Sequence, residues 1–234
     1  MSRICTICAR GGSKGVKNKN VKLLLNMPLI AHSINQAKKS ELFDVVAVSS
    51  DNEEILNISK QYGADIVVER PKEMATDNAA KLPVIQHCVE SAEKIVGYRF
   101  DTIVDLDATS PLRSLEDIKN ATAMLENSGA SNLITGAKSR RSPYFNLVEI
   151  NKQGYVGLSK QLDTAITRRQ DAPICYDMNA SIYAWTRQSL LTSDSVFQSE
   201  TILFEMPEER SIDIDSALDF EIVSMLANKR GELI

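Results

Sequence analysis

The chain has 234 residues, of which 43% are apolar and 25% are charged, and this length allows one sizeable hydrophobic core. The formal net charge of −4 argues against a general nucleic-acid-binding protein. No apolar stretch is long enough to span a bilayer, and the first twenty residues lack the pattern of a signal peptide. We therefore expect a cytoplasmic protein that binds neither nucleic acid nor membranes.

Strand signals and helix signals alternate over the first 137 residues. Strand-like runs cover 4–9, 44–50, 66–68, 100–106 and 132–137, and helix-like runs cover 28–40, 51–62, about 82–96 and 114–128. Capping-box spacing predicts that Asp51 with Glu54 begins the second helix and that Ser114 with Asp117 begins the fourth. The alternation predicts an α/β fold, with a mostly parallel sheet that has helices on both faces.

The regular alternation stops between residues 138 and 171, where proline and glycine lie among polar residues. We interpret this segment as an excursion and not as a linker to a second core. Strand signals return at 182–185 and 202–206, and an amphipathic helix is predicted over 216–229. We expect a single domain over residues 1–234, with 138–171 as an arm inserted in it.

The four cysteines do not resemble a disulfide framework in a chain of this size. Cys5 and Cys8 form a C-x-x-C, which is also the spacing of redox and zinc motifs. Both lie inside the first predicted strand, and no second pair supplies zinc ligands, so buried thiols are favoured.

The segment after the first predicted strand combines glycines with cations. Residues 10–19 contain three glycines and four positive charges: Gly11, Gly12, Gly15, Arg10, Lys14, Lys17 and Lys19. Glycines leave backbone N–H groups free to converge on an anion, and the cations suit phosphate. A solvated basic loop is the alternative, but ligands of open α/β sheets bind at the carboxyl ends of strands, which favours a phosphate site. The glycine spacing fits neither the dinucleotide fingerprint nor the P-loop.

Two acidic pairs have the same spacing. Asp105 and Asp107 follow the fourth predicted strand, and they share a face if the strand continues through them. In the segment 211–215, S-I-D-I-D, alternation would bury the isoleucines and project Asp213 and Asp215 from the other face. Carboxylate pairs of this kind can hold Mg²⁺. An acidic helix N-terminus at Asp215 is the alternative for the second pair.

Four separated motifs between residues 9 and 221 resemble those of the acylneuraminate, or nonulosonate, cytidylyltransferases. That family has A-R-x-x-S-K-G followed by K-N in its first loop, Q-P-T-S-P-L-R after a strand, R-R-Q-x-x-P with Y-x-x-N-G-A-I-Y, and S-I-D-I-D. This chain departs at Asp107, where glutamine is usual, at Ala108, where proline is usual, and at Ala180, where glycine is usual. Lys81 also stands where a small polar residue is expected.

The resemblance implies a three-layer, Rossmann-like nucleotide-sugar transferase fold and the transfer of CMP from CTP to an acidic nine-carbon 2-keto sugar. Mg²⁺ is the implied cofactor. Catalytic roles are implied for Arg10, Lys14, Lys19, Asp213 and Asp215, the last two as metal ligands. Substrate-binding roles are implied for Ser13, Asn20, Arg70, Ala79, Lys81, Asp107, Thr109, Ser110, Arg113, Tyr144, Phe145, Arg169, Gln170, Asn179 and Tyr183.

The arm at 138–171 carries two further expectations. Tyr144, Phe145 and Leu147 would be exposed on an arm with little core of its own, and the resemblance implies that this region forms a homodimer. The segment 140–146, R-R-S-P-Y-F-N, resembles the form found in family members that act on legionaminic acid. Members that act on N-acetylneuraminate often have lysine in place of Phe145.

Other functions remain open at the level of the sequence. A sugar-nucleotide glycosyltransferase would use Asp105 and Asp107 as its metal motif. A nucleotide-binding module without activity would be expected to lack Asp213 and Asp215. Within the family, the alternatives are activation of N-acetylneuraminate and activation of an eight-carbon acidic sugar.

Overall fold

The computed structural model describes residues 1–12, 15–76, 79–164, 166–231 and 233. Its strands are β1 (Arg3–Cys8), β2 (Leu23–Leu24), β3 (Met27–Pro28), β4 (Val45–Ser50), β5 (Ile66–Glu69), β6 (Thr102–Leu106), β7 (Asn132–Lys138), β8 (Val148–Ile150), β9 (Val156–Leu158), β10 (Tyr176–Thr186) and β11 (Thr201–Glu205). Its α-helices are α1 (Leu29–Ser40), α2 (Glu53–Gln61), α3 (Lys81–Val96), α4 (Leu115–Ser128), α5 (Arg187–Thr192) and α6 (Ala217–Arg230).

Within the described residues, seven strands form the central sheet, in the order β11-β7-β10-β6-β1-β4-β5. Neighbouring strands are parallel except at β10, which runs antiparallel to both β6 and β7. Strands from before and after the arm therefore join the same sheet. The predicted α/β class with a mostly parallel sheet is confirmed.

Two apolar clusters lie on opposite faces of the sheet and make the fold three-layered. On one face, side chains of α1, α2 and α4, such as Ile34, Ile55 and Ile118, pack with those of the sheet. On the other face, side chains of α3 and α5, such as Ile85 and Leu190, do the same. Successive side chains of a strand point to opposite faces, so the nearly continuous apolar runs of the parallel strands supply both clusters.

One predicted helix cap is confirmed and the other is wrong. Ser114 and Asp117 form the capping box that begins α4. The second helix begins later than expected, because Asn52 is its N-cap and accepts a hydrogen bond from the backbone N–H of Ile55 at 3.1 Å. The Asp51 carboxylate instead accepts a hydrogen bond from the backbone N–H of Gly11 at 2.9 Å. It therefore supports the loop that follows β1, which is the first loop of the chain.

The second half of the chain differs most from the prediction. β10 begins at Tyr176, six residues earlier than expected, and its pairing with β7 shifts register between Met178 and Tyr183. The arm contains an antiparallel hairpin of β8 and β9, whose apolar side chains are exposed. Within the described ranges, no helix combines the length and the apolar character needed to cross a membrane.

Candidate active site

A cavity of about 500 Å³ lies at the carboxyl ends of the parallel strands β1, β5 and β6. This is where ligands of open α/β sheets bind. Its lining includes nine of the predicted site residues, contributed by the first loop, the segment after β5, the start of α3, the turn after β6 and the segment before α6. They are Arg10, Lys19, Asn20, Arg70, Ala79, Lys81, Asp107, Thr109 and Asp215.

The first loop packs directly against the segment that precedes α6. A Cβ atom added at Gly15 would lie 1.8 Å from the carbonyl oxygen of Asp215, so only glycine allows this close approach. The Lys19 ammonium donates to the carbonyl of Ile214 and lies 3.4 Å from the Asp215 carboxylate. This contact brings a cation of the loop beside an acidic residue nearly 200 positions later. Ser13 and Lys14, two further predicted site residues, lie outside the described residues.

Buried side chains hold the loop and its surroundings in place. The Asn20 side chain donates to the carbonyl of Arg10 at 3.0 Å, which closes the loop on itself. The Arg70 guanidinium donates to the carbonyl of Ser49 at 3.0 Å, at the end of β4. Because these amide and guanidinium groups are committed to the backbone, they fix the shape of the cavity wall.

The acidic segment before α6 is anchored by its isoleucine. Ile214 is fully buried in a small apolar cluster with residues of α6, and its backbone N–H donates to the carbonyl of Thr109 at 2.9 Å. The segment is not a strand, but the predicted burial of this isoleucine is correct. Ser216 caps α6, and the Asp215 side chain, 80% exposed, lies in the cavity wall.

Asp213 and Asp215 are the carboxylates that could hold a divalent cation. Asp213 is half-buried, and its burial, together with the charges of Asp215 and Asp107, raises the pKa of its carboxyl. A divalent cation would relieve this repulsion. Mg²⁺ commonly binds one or two carboxylates together with substrate phosphates, so the pair fits such a site. No cluster of three or more ligating side chains occurs in the described parts of the chain.

Asp105 and Asp107 are in a different environment, because Lys81 lies between them. The Lys81 ammonium is 2.9 Å from Asp107 and 3.1 Å from Asp105, and it stands over the ring of Tyr183 at 4.2 Å. Burial alone would lower the pKa of Lys81, but the two carboxylates outweigh it and raise that pKa. Burial opposes the charge of Asp107, yet Lys81 and Thr109 hold the pKa of its carboxyl at about 2. An internal cation therefore occupies the place that a metal would take in a glycosyltransferase D-x-D motif.

Four of the predicted substrate-binding residues are almost completely buried behind the cavity: Ser110, Arg113, Asn179 and Tyr183. Burial lowers the pKa of Arg113 to about 10, and its guanidinium donates to the carbonyls of Asp107 and Ser181. The Asn179 carbonyl oxygen accepts a hydrogen bond from the Thr135 hydroxyl at 2.5 Å, inside the register shift of β10. The structure places the side chains of Arg113 and Asn179 where they support the turn after β6 and the bulge of β10.

The predicted residues of the arm are not brought to this cavity within one chain. Arg169 and Gln170 line a second cavity of about 470 Å³, together with Lys138 and Arg141. The expected exposure is correct for Leu147 but wrong for Tyr144 and Phe145, which are half-buried within the arm and line neither cavity.

Several lining residues were not singled out as site residues from the sequence. Met74, Thr76 and Val84 line the cavity beside Ala79, and Cys8 contributes from the end of β1. Cys8 is only partly buried, unlike Cys5, and all four cysteines are free thiols. Its position next to the first loop was the signal in the sequence that could have identified Cys8 as a lining residue. Met74 and Thr76 belong to a polar segment whose path is not encoded in a periodic pattern.

Comparison with known proteins decides the family. The family described as "Cytidylyltransferase" matches residues 4–230. The chain belongs to this family. The cytidylyltransferase is 48% identical over 228 residues to "CMP-N,N'-diacetyllegionaminic acid synthase" of Campylobacter jejuni, covering 97% of this chain and 96% of that protein. It is 47% identical, with the same coverage, to "Post-translational flagellin modification protein B" of Campylobacter coli.

A solved structure supports the fold of this cytidylyltransferase. The structure of CMP:2-keto-3-deoxy-manno-octonic acid synthetase complexed with CTP superposes with a TM-score of 0.68, covering 98% of this chain and all of that one. The two sequences are only 16% identical, so this likeness concerns the fold. The expected three-layer, Rossmann-like nucleotide-transferase fold is confirmed.

Proposed function

We propose that this cytidylyltransferase transfers CMP from CTP to the anomeric hydroxyl of N,N'-diacetyllegionaminic acid and releases pyrophosphate. The observation that carries the proposal is the 48% identity, over almost the full length of both chains, to the Campylobacter jejuni synthase. The cavity supports it, since its cationic first loop suits a triphosphate and its acidic segment suits a metal.

The reaction is a substitution at the α-phosphorus of CTP. The anomeric oxygen forms a bond to this phosphorus and releases its proton to the solvent, the bond to the bridging oxygen breaks, and pyrophosphate leaves with the electron pair. Such reactions depend on alignment and on neutralising charge. Arg10 and Lys19 line the cavity and supply positive charge for the phosphates, and Lys14 is proposed to join them. Asn20 keeps the loop closed beneath them.

Asp213 and Asp215 are proposed to hold Mg²⁺. When bound, the ion supplies charge neutralisation at the phosphate oxygens and orients the reactants. Lys19 positions this acidic segment by its contacts with Ile214 and Asp215. Gly15 lets the two segments approach closely enough to share one ligand.

A pyrophosphate-release assay with CTP and a panel of acidic sugars tests the proposal. We expect turnover with N,N'-diacetyllegionaminic acid and a kcat/KM for N-acetylneuraminate that is lower by roughly a hundredfold, the scale on which an apolar pocket rejects an added hydroxyl. The product must have the mass of a CMP-sugar. Equal or higher efficiency with N-acetylneuraminate would contradict the choice of sugar, and failure of CTP with every sugar would contradict the function.

We also propose that the enzyme is a cytoplasmic homodimer assembled through the arm. Ile150, Tyr155 and Val156 of the hairpin are exposed and apolar, and a surface of this kind usually marks an interface. Light scattering at micromolar concentration should give twice the monomer mass. Ile150→Lys should shift the protein towards monomers, whereas Ile95→Lys, which changes a similarly exposed isoleucine on α3, should not. A parent protein that is a fully active monomer would contradict the dimer.

A further inference from the structure

Two departures from the motifs of the family meet in the structure. Lys81 is the first residue of α3 and Asp107 directly follows β6, and the two side chains form an ion pair of 2.9 Å in the cavity wall. Their positions are 26 residues apart in sequence. Lys81 and Asp107 therefore act as a pair, because each neutralises the partly buried charge of the other.

The hydrogen bonds that Asp107 accepts leave its carboxylate little freedom to rotate. One carboxylate oxygen accepts from both the backbone N–H and the hydroxyl of Thr109, at 3.0 and 2.9 Å. The other oxygen accepts from Lys81. A carboxylate has about four acceptor positions, so one remains, on the oxygen that faces Lys81. The Asp107 side chain is 20% exposed and lines the cavity, where a ligand can reach that position.

Lys81 is held from three sides. Asp107, the fully buried Asp105 and the ring of Tyr183 surround its ammonium, and Thr6 donates to the other oxygen of Asp105 at 2.8 Å. If Lys81 left this place, the fully buried carboxylate of Asp105 and the partly buried carboxylate of Asp107 would face each other without a cation. The ammonium is therefore fixed, and it fixes Asp107 in turn.

We propose that Lys81 is a positioning residue, which holds Asp107 as an acceptor-only group for an N–H donor on one of the two substrates. This inference rests on the proposed function. The donor is the amino group of cytosine or an acetamido N–H of the sugar. A carboxylate accepts from either, whereas an uncharged amide at position 107 would be free to turn its own N–H towards the donor.

Steady-state kinetics with both substrates test the role of Lys81. In Lys81→Met, which keeps most of the length of the side chain and removes its charge, we expect kcat/KM to fall by about a hundredfold, the scale of one lost hydrogen bond to a charged group. KM should rise for one substrate only: a rise for CTP identifies the cytosine amino group, and a rise for the sugar identifies the acetamido group. Asp107→Asn should raise the same KM, and Lys81→Arg should restore most of the efficiency.

The double variant Lys81→Met/Asp107→Asn sharpens this test, because two residues that act as one unit are not additive. We expect its loss to be no larger than that of Lys81→Met alone. Asp107→Asn keeps Lys81 paired with Asp105, so it gives a folded protein in which the change of KM can be measured even if Lys81→Met does not fold.

Arg187→Met is the matched control. Arg187 pairs with Glu93 at 2.7 Å, its side chain is 28% exposed like that of Lys81, and neither partner lines the cavity. We expect this variant to lower Tm while kcat and both KM values of the folded protein stay unchanged. The same behaviour in Lys81→Met and Asp107→Asn would overturn the positioning role. A parent enzyme that releases no pyrophosphate would instead overturn the proposed function, and this inference with it.

Discussion

Two acidic pairs with identical spacing have opposite environments in this protein. Asp105 and Asp107 lie at the end of β6, and the ammonium of Lys81 stands between them. Asp213 and Asp215 lie before α6, where Asp215 is exposed in the cavity and repulsion helps to raise the pKa of Asp213. The first pair has its cation built into the chain. The second pair is open to a cation from solution.

This difference shows that a D-x-D spacing does not by itself identify a metal site. What decides is whether another element of the fold brings a lysine to the same place. The start of α3 does so for the first pair, while the second pair is approached by Lys19 at the longer distance of 3.4 Å. Asp105 and Asp107 are therefore a closed pair, with Lys81 between them, and Asp213 and Asp215 are an open pair.

The largest effect is expected at the open pair. Asp215→Asn should lower kcat by roughly a hundred- to a thousandfold at ordinary Mg²⁺ concentration, because it removes a proposed metal ligand while keeping the volume. Asp213→Asn should behave in the same way. Neither change should lower Tm by more than a few degrees, because neither carboxylate is needed for the core. Turnover close to that of the parent in either variant would remove the metal-site proposal.

A somewhat smaller effect is expected for the cations that line the cavity together with Asp215. Arg10→Ala should lower kcat, by about a hundredfold, more than it raises KM for CTP, because charge grows on the leaving pyrophosphate in the transition state. Steady-state kinetics with varied CTP give both constants. A loss confined to KM would mean that Arg10 contributes only to ground-state binding.

The effect of Mg²⁺ on Tm should distinguish the two acidic pairs without an activity assay. In the presence of CTP, Mg²⁺ should raise Tm of the parent by several degrees through binding to the folded state, and a chelator should reverse the shift. Asp213→Asn should lose this response. Asp105→Asn, in which Lys81 remains beside Asp107, should keep it. If the rise in Tm disappeared in Asp105→Asn alone, the metal would lie at Asp105 and Asp107, which would contradict the proposed site.

The smallest effect is expected at the closed pair under acid conditions. The pKa of Asp107 is held at about 2, below the ordinary value near 4, so its ionised form stabilises the fold above about pH 4. This contribution, roughly 2 kcal/mol, should be lost as the pH falls from about 4 to 2. Chemical unfolding of the parent and of Asp107→Asn should show a difference in free energy that shrinks over this range. A difference that does not change with pH would contradict the pairing.

Much of the fold could be predicted from the sequence, but the contacts between distant segments could not. The apolar runs of the parallel strands and the Ser114 capping box are local signals, and the structure has them. The choice of Asn52 over Asp51 as a cap depends on Gly11, which is 40 residues away and takes up the Asp51 carboxylate. The pairing of Lys81 with Asp107 likewise depends on where α3 begins relative to β6.

Some of the predicted site residues are of a type that by itself suggests chemistry. Arg10, Lys19 and Asp215 are such residues, and the structure gathers them in one cavity. Other predicted substrate-binding side chains, such as those of Asn179 and Arg113, are buried and form hydrogen bonds with the backbone. A motif records that a residue is required but does not say whether it contacts the ligand or supports the residues that do.

Binding of Mn²⁺ in place of Mg²⁺, followed by electron paramagnetic resonance in the presence of CTP, tests the contrast between the two pairs most directly. The account predicts that the parent and Asp107→Asn bind the ion with similar affinity, and that Asp215→Asn binds it at least tenfold more weakly. Unchanged binding in Asp215→Asn together with loss of binding in Asp107→Asn would show that the pair after β6 holds the metal, and would contradict the account.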